Sequence, residues 1–277
     1  MEIRLFASKR ELDGMSQKQI LHYFLCYKPP KEAAKRIWIS RKLSALGGIR
    51  LHYSFWKLPK SSLHFALELV RDNEPIVLKR SRELARPRVD KAHRLYELGS
   101  LMVIAYNSPL VPTGKRAAII RALRRTPCIP VGPSLYLFPH LKAPKYAYFR
   151  DKIMLPDDFF DFLKRCGVVA HRLTYLRVIY PQSHEMLLNR LIGRQTREYA
   201  KLVQQSQTLL KRIQEMRASR TIVQKALSEF KTRYRAHKGV AYFLYQVYGV
   251  DLRMNLKEAY NAIVSCKRTF VEGTASS

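Results

Sequence analysis

The chain has 277 residues and a formal net charge of +30, because 51 Lys and Arg residues outnumber 21 Asp and Glu residues. Apolar residues make up 47% of the sequence, enough for real hydrophobic cores, which excludes wholesale disorder. No apolar run approaches the roughly 18–20 residues that a membrane-spanning helix needs. Four widely separated cysteines without a CxxC pair argue against a zinc ribbon and fit a reducing cytoplasm. So basic a chain is expected to bind a polyanion, and nucleic acid is the commonest polyanion in cells.

An internal repeat of period 80 organises the first two thirds of the chain. Residues 21–59 align without a gap to residues 101–139, with ten identical pairs. Each copy begins with an apolar, β-rich run that ends at a Pro-containing loop. A basic helix and a second β stretch ending at a proline follow. The runs are 20–27 and 101–106, and the predicted helices are 31–46 and 114–126.

A further helix and strand complete each copy. In the first copy they are predicted at 62–72 and 75–81. In the second, Pro156 begins a helix that ends near Gly167, and a strand covers 168–180. The order β-α-β-β-α-β is the ferredoxin-like arrangement. The sequence therefore predicts an α+β protein with two tandem ferredoxin-like units followed by a helical C-terminal region.

The C-terminal region has a different pattern. No Gly or Pro occurs between Gly193 and Gly239. Residues at alternating spacings of four and three, apolar except Ser206 and Arg220, form a heptad seam over 202–234. The segment is predicted as one long helix, a coiled coil or a hairpin, and its seam offers a surface for self-association or a protein partner. A last helix is expected at about 256–270. The predicted domains are 1–90, with an N-terminal extension, 91–182 and 183–277.

The segment LGGIRLHYSFWKLP is the clearest part of a resemblance to known families. Residues 19–83 resemble the N-terminal domain of ChrB-type chromate-resistance regulators, where a strand, a Pro-containing loop and a basic helix precede a strand ending in an aromatic residue and LP. The same layout is similar to the core of PaaX-type repressors and to the small CRISPR-associated integration subunit. Residues 100–180 carry it more weakly. The resemblance implies a ferredoxin-like fold and a role as a transcriptional regulator or a nucleoprotein assembly subunit.

The resemblance also bears on catalysis. The CRISPR-associated nucleases are expected to have an Asp at the end of the first strand, where a pair across a dimer would hold a divalent metal. The corresponding positions are Tyr27-Lys28 and Asn107-Ser108, so neither copy supplies that carboxylate. No histidine pair has metal-ligand spacing. We therefore expect a protein that is not an enzyme and has no catalytic residue, metal or other cofactor.

The remaining candidates are basic side chains that would contact phosphates. Arg41 and Arg121 lie two residues beyond Ile39 and Ile119, about 200° around the helix, and so face away from the sheet. Such contacts give salt-dependent affinity with little sequence discrimination, for DNA or RNA alike. The predicted nucleic-acid-binding residues are Lys35, Arg36, Arg41, Lys42, Lys115, Arg116, Arg121, Arg124, Arg125, Arg190, Arg194, Arg197 and Lys201.

Two other hypotheses stay open. Asp157, Asp158 and Asp161 would be the ligands of a metal-dependent nuclease with displaced carboxylates, although helix capping also explains the first two. The third hypothesis is a protein-interaction scaffold that uses the heptad helix, with the charge serving solubility. The basic connector 79–94 is predicted as a solvated linker that could also touch an anion.

Overall fold

A computed structural model describes residues 23–89, 95–107, 111–215 and 219–275. The predicted N-terminal extension, including Leu21 of the repeat, lies outside these residues. The protein is α+β, with an eight-stranded antiparallel sheet and several helices. The sheet strands are β1 (Tyr23–Cys26), β2 (Ile49–His52), β3 (Phe55–Leu58), β4 (Ile76–Arg80), β7 (Leu101–Tyr106), β8 (Ile129–Gly132), β9 (Leu135–Pro139) and β10 (Ala170–Val178). A separate two-stranded ladder joins β5 (Arg88–Val89) and β6 (Leu95–Glu97).

The helices follow the predicted order closely. They are α1 (Ala33–Ala45), α2 (Leu63–Leu69), α3 (Thr113–Arg124), α4 (Ala143–Ala147), α5 (Pro156–Arg165), α6 (Pro181–Gln214), α7 (Arg220–Tyr248) and α8 (Arg253–Ala275). Two 3₁₀ turns, Lys60–Ser62 and Arg71–Asn73, flank α2. No helix in the described ranges is both long and apolar enough to cross a bilayer.

The two halves of the sheet have the same strand order. The complete order is β2-β3-β1-β4-β10-β7-β9-β8, so each half orders its strands as second, third, first, fourth. The halves meet edge to edge at β4 and β10, where Leu78 lies opposite Val178 and Lys79 lies opposite Arg177. One continuous sheet therefore spans both copies of the repeat.

The gapless alignment of the two copies is wrong by one residue in the first strand. Tyr27 and Tyr106 each pack in the cluster beneath the helices of their own half. Each also donates its backbone N–H to an equivalent carbonyl, that of Ser54 or Ser134. Asn107, which the alignment pairs with Tyr27, comes one residue later. Side chains alternate between faces along a strand, so burial determines the register and the loop before α3 absorbs the extra residue.

The repeat helices cover one face of the sheet. The shared Ile39 and Leu43 of α1, and Ile119 and Leu123 of α3, are all buried, which confirms that these spacings mark the core-facing side. In the first half α1 and α2 pack on this face, and in the second half α3 and α5 do so.

The C-terminal helices belong to the core of the opposite face. One hydrophobic cluster joins Phe24 of β1 and Val103 of β7 to residues of all three C-terminal helices, such as Leu191, Phe243 and Ile263. All three predicted segments therefore contribute to the same core.

The heptad segment is a helical hairpin. The helices α6 and α7 run antiparallel, as the hydrogen bond from the Tyr199 hydroxyl to the His237 carbonyl (2.9 Å) and that from Arg233 to Gln205 (2.6 Å) indicate. Most of the seam is buried within the chain, so in this structure it does not offer the surface for self-association or a protein partner that the sequence suggests. The buried seam residues are Leu202, Ser206, Leu209, Val223, Leu227 and Phe230. The seam position Met216 lies outside the described residues.

Two glycines in this hairpin have opposite surroundings. A Cβ atom built on Gly239 of α7 would lie 2.0 Å from the backbone oxygen of Lys152, so the two segments approach too closely for any side chain. A Cβ atom on Gly193 of α6 would meet nothing within 4 Å. Of these two glycines, Gly239 is the one that packing requires.

Candidate functional site

The two basic repeat helices border one groove. It has a volume of about 780 Å³ and is lined by Arg36 and Arg41 of α1, Arg50 of β2 and Arg116 of α3, together with the hairpin turns of both halves. We call it the arginine groove. It brings together Arg36, Arg41 and Arg116 of the predicted nucleic-acid-binding residues.

The repeat explains why Arg36 and Arg116 both line the arginine groove. Arg36 donates to the Lys31 carbonyl (2.7 Å), and Arg116 donates to the Val111 carbonyl (2.6 Å), in each case five residues earlier. This shared bond ties the helix to the loop before it in both copies. The identity of Arg36 and Arg116 between the two copies therefore has a structural cause. The same hydrogen bond also holds both guanidinium groups at the groove.

Arg50 and Tyr53 are site residues that sequence reasoning missed. The Arg50 guanidinium carbon lies 5.6 Å from the centre of the Tyr53 ring, within the range of a cation–π contact. Tyr53 is 47% exposed and lines the groove, so its ring presents an aromatic surface beside the arginines. Both residues belong to the segment LGGIRLHYSFWKLP, so the resemblance is the one sequence signal that includes them.

A smaller cavity of about 60 Å³ adjoins the groove and shares Arg50 and Tyr53 with it. His52 lies here, and its Nε2 donates to the Tyr106 carbonyl (3.3 Å). Burial lowers the pKa of His52, with smaller contributions in the same direction from Arg50 and His171, while the Tyr106 bond opposes the shift. His52 is therefore neutral near pH 7 and leaves the arginines as the positive charges of the site.

The strand-end positions expected to carry a carboxylate lie around this site. Tyr27 lines the arginine groove and Asn107 lines the adjoining cavity. Burial raises the pKa of Tyr27. Lys28 forms an ion pair with Glu74 (3.1 Å). Among the described residues, no Asp or Glu lines the groove or the adjoining cavity.

The candidate displaced carboxylates lie elsewhere, on the first turns of α5. Asp157 forms an ion pair with Arg172 (2.5 Å), and Asp161 lies 3.8 Å from Lys164. In the part of the chain that the structure describes, no three His, Cys, Asp or Glu side chains are grouped to hold a metal ion. Asp157 and Asp161 each pair with a neighbouring cation.

Two of the predicted binding residues on α6 make internal contacts. Arg194 donates to the Leu123 carbonyl (2.6 Å) and the Cys128 carbonyl (2.7 Å), at the end of α3 and the start of β8. Arg190 is only partly exposed and pairs with Glu74. These guanidinium groups attach α6 to both halves of the sheet.

Glu198 forms ion pairs with two more of the predicted nucleic-acid-binding residues. Glu198 lies 3.1 Å from Lys201 and 3.7 Å from Arg124. Arg197 is exposed and donates to the Gly193 carbonyl of its own helix (3.0 Å). On α6, therefore, Arg197 and Lys201 retain exposed cationic groups.

The other predicted residues lie on the exposed sides of the repeat helices, outside the lining of the groove. Lys115 donates to the Cys166 carbonyl (2.7 Å), which joins α3 to the end of α5. The exposed residues without a place in the groove lining are Lys35, Lys42, Lys115, Arg121 and Arg125.

A buried polar cluster lies between α6 and α7. His237 is 1% exposed, with Nδ1 3.1 Å from the Gln195 side-chain oxygen and Nε2 3.7 Å from Glu198. Burial lowers the pKa of His237 to about 4, although Glu198 opposes the shift. Burial acts to raise the pKa of Glu198, but Lys201 and the other surrounding cations outweigh it and the net shift is downward.

Comparison with family models, curated proteins and solved structures finds no match to this chain. The charge and geometry of the arginine groove are therefore the basis for inferring function.

Proposed function

We propose that the chain consists of two ferredoxin-like units, which together form the covalent counterpart of a symmetric dimer. Both halves have the element order β-α-β-β-α-β, with the short α4 added before α5 in the second half, and the same strand order, and they meet through their fourth strands. Repeat-equivalent residues from both halves meet at the arginine groove, as they would near a pseudo-two-fold axis. The resemblance of residues 19–83 to ChrB-type regulators favours the same fold.

We further propose that the protein is a non-catalytic nucleic-acid-binding protein, acting as a transcriptional regulator or a nucleoprotein assembly subunit. The observation that carries this proposal is the convergence of Arg36, Arg41, Arg50 and Arg116 on one groove that no carboxylate of the described residues lines. Guanidinium groups that line one groove repel one another, and phosphate oxygens relieve the repulsion while accepting charge-assisted hydrogen bonds. The net charge of +30 would attract the same polyanion over longer distances.

The two alternatives have weaker support. A nuclease needs carboxylates to hold its metal ion, and Asp157 and Asp161 each face a neighbouring cation. A scaffold that binds through the heptad seam needs that seam free, and most of its residues are buried within the chain.

The test measures the affinity of the full chain for labelled duplex DNA, duplex RNA and single strands by fluorescence anisotropy over a series of salt concentrations. Arg41→Glu changes an exposed residue of the groove lining, and Lys42→Glu makes the same type of change at the next residue, outside that lining. We expect Arg41→Glu to weaken binding at least about tenfold more than Lys42→Glu, because a charge-assisted hydrogen bond contributes about 1.5–3 kcal/mol.

The salt series tests the mode of binding. For a duplex, each phosphate contact contributes a slope of about −0.9 to the logarithm of affinity against the logarithm of salt. The Arg41→Glu variant should therefore show a shallower slope than Lys42→Glu. Equal losses in the two variants, or no binding by the unaltered chain at low salt, would contradict the proposal. Mg²⁺-dependent cleavage that Asp157→Asn abolishes would establish the nuclease alternative instead.

A further inference from the structure

A second basic cavity lies at the junction of the two halves of the sheet. It has a volume of about 600 Å³ and is lined by the ends of β4 and β10, the connector after β4, and β5. We call it the junction cavity. Lys79 lies opposite Tyr23 at the start of β1, whereas the arginine groove includes Tyr27 just beyond the end of β1. The two sites therefore lie at opposite ends of the first strand.

The lining of the junction cavity has an excess of positive charge. Its basic residues are Lys79, Arg80, Arg82, Arg88 and Arg177, and Glu83 is its single acid in the described part of the chain. Glu97 pairs with both Arg88 (3.4 Å) and Arg177. One carboxylate is thus shared by two guanidinium groups, and Lys79, Arg80 and Arg82 add further positive charge.

The register of the sheet places two of these cations face to face. Lys79 and Arg177 are direct partners across the antiparallel pair of β4 and β10. Like charges at directly opposed positions destabilise a sheet. Arg80 also acts on Lys57 of β3. Burial is the main cause of the lowered pKa of Lys57, and the positive charge of Arg80 lowers it further. A bound anion would relieve the repulsion between Lys79 and Arg177 and the smaller part of the Lys57 shift that Arg80 causes.

We propose that the junction cavity is a binding site for a phosphate-bearing anion. Its volume lies within the range of about 300–1,000 Å³ typical of small-ligand sites, so it has room for a group of several phosphates. Guanidinium groups suit phosphate because they present several donors in one plane. The connector 79–94, predicted as a solvated linker, forms part of this wall in its described residues. The phosphates would come from a free oligophosphate or nucleotide, or from a nucleic-acid backbone.

The experiment titrates the full chain with inorganic tripolyphosphate at low salt in a calorimeter. Arg80→Ala combined with Arg82→Ala removes two exposed cations of the cavity, and Lys257→Ala combined with Lys267→Ala removes two exposed cations of α8. We expect the dissociation constant to rise at least about tenfold in the cavity variant and to change little in the α8 variant. Equal dissociation constants in these two variants, or no binding by the unaltered chain, would overturn the proposal.

Two further measurements distinguish the sources and the sites. If the phosphates come from a nucleic-acid backbone, the cavity variant also loses affinity for duplex DNA or RNA; if they come from a free oligophosphate, duplex affinity is retained. Arg41→Glu should leave binding at the junction cavity unchanged, because Arg41 belongs to the arginine groove; tripolyphosphate bound at the groove occupies a separate site, which Arg41→Glu weakens and the cavity variant does not. The proposal for the junction cavity can therefore be contradicted while the proposed function is supported, and the reverse is equally possible.

Discussion

Burial determines the protonation of most histidines that the structure describes. The pKa values of His52, His140, His171 and His184 are lowered, and that of His237 falls to about 4. In every case the main cause is burial, which disfavours the charged ring. All five rings are therefore neutral near pH 7. Protonating them at lower pH costs free energy, because the charged ring is buried.

We predict that the free energy of unfolding decreases as the pH falls from about 6.5 to about 4. In this window the unfolded chain binds more protons than the folded chain, so unfolding is favoured as the pH decreases. His237 alone accounts for about 3 kcal/mol, since its pKa changes from near 6.5 in the unfolded chain to about 4. Urea unfolding at a series of pH values measures the effect. His237→Gln should flatten the pH dependence, whereas His64→Gln, at an exposed side chain, should not; equal slopes would contradict this assignment.

Two arginines predicted to bind nucleic acid have different roles within one turn of α6. Arg194 donates to two carbonyls at the end of α3 and the start of β8, whereas Arg197 is exposed. Helical periodicity places them on neighbouring faces, but it does not reveal which face will meet the end of another helix. The acceptors of Arg194 lie about 70 residues away in sequence, and only the packed structure brings them within reach. Sequence reasoning therefore grouped a structural arginine with exposed ones.

At the scale of elements, the two helix glycines provide a matched test. We predict that Gly193→Ala raises the free energy of unfolding by about 0.5–1 kcal/mol, because alanine favours a helix and its methyl group meets nothing. Gly239→Ala should lower it by several times that amount, roughly 2–4 kcal/mol, since a Cβ atom would overlap the Lys152 backbone. Chemical denaturation measures both. A stabilised Gly239→Ala variant would show that α7 and the Lys152 segment do not approach so closely.

Most helices and strands, in their order along the chain, were predictable from local patterns, although the short α4 was not. The spacing of Ile39 and Leu43 in α1, repeated in α3, correctly marked the buried sides. The register of the first strand was not predictable from a gapless alignment, because identities that set its offset, such as Lys35 with Lys115, lie in the helices and not in the strand. The hairpin was one of three alternatives for the heptad segment, and local periodicity is the same for all of them.

At the scale of the whole molecule, the net charge of +30 predicts how stability depends on salt. Self-repulsion destabilises a compact chain, and added salt screens it. The screening length decreases from about 30 Å at 0.01 M to about 8 Å at 0.15 M. We therefore expect the melting temperature, measured by circular dichroism, to rise with NaCl over this range and then level off. A melting temperature that is constant or decreases would mean that the attraction within pairs such as Arg190 with Glu74 outweighs the repulsion.

The pairing of β4 with β10 has a consequence for synthesis of the chain. β4 ends at Arg80, and its partner begins at Ala170. Ribosomes add about 5–20 residues per second, so β10 is synthesised on the order of ten seconds after β4. During that interval the β4 edge of the first half has no partner strand. An exposed edge is a template for pairing with other chains. Lys79 and Arg80 lie on that edge, and charged edge residues oppose such pairing. The cations that border the junction cavity in the finished protein would thus also keep nascent chains apart on a polysome.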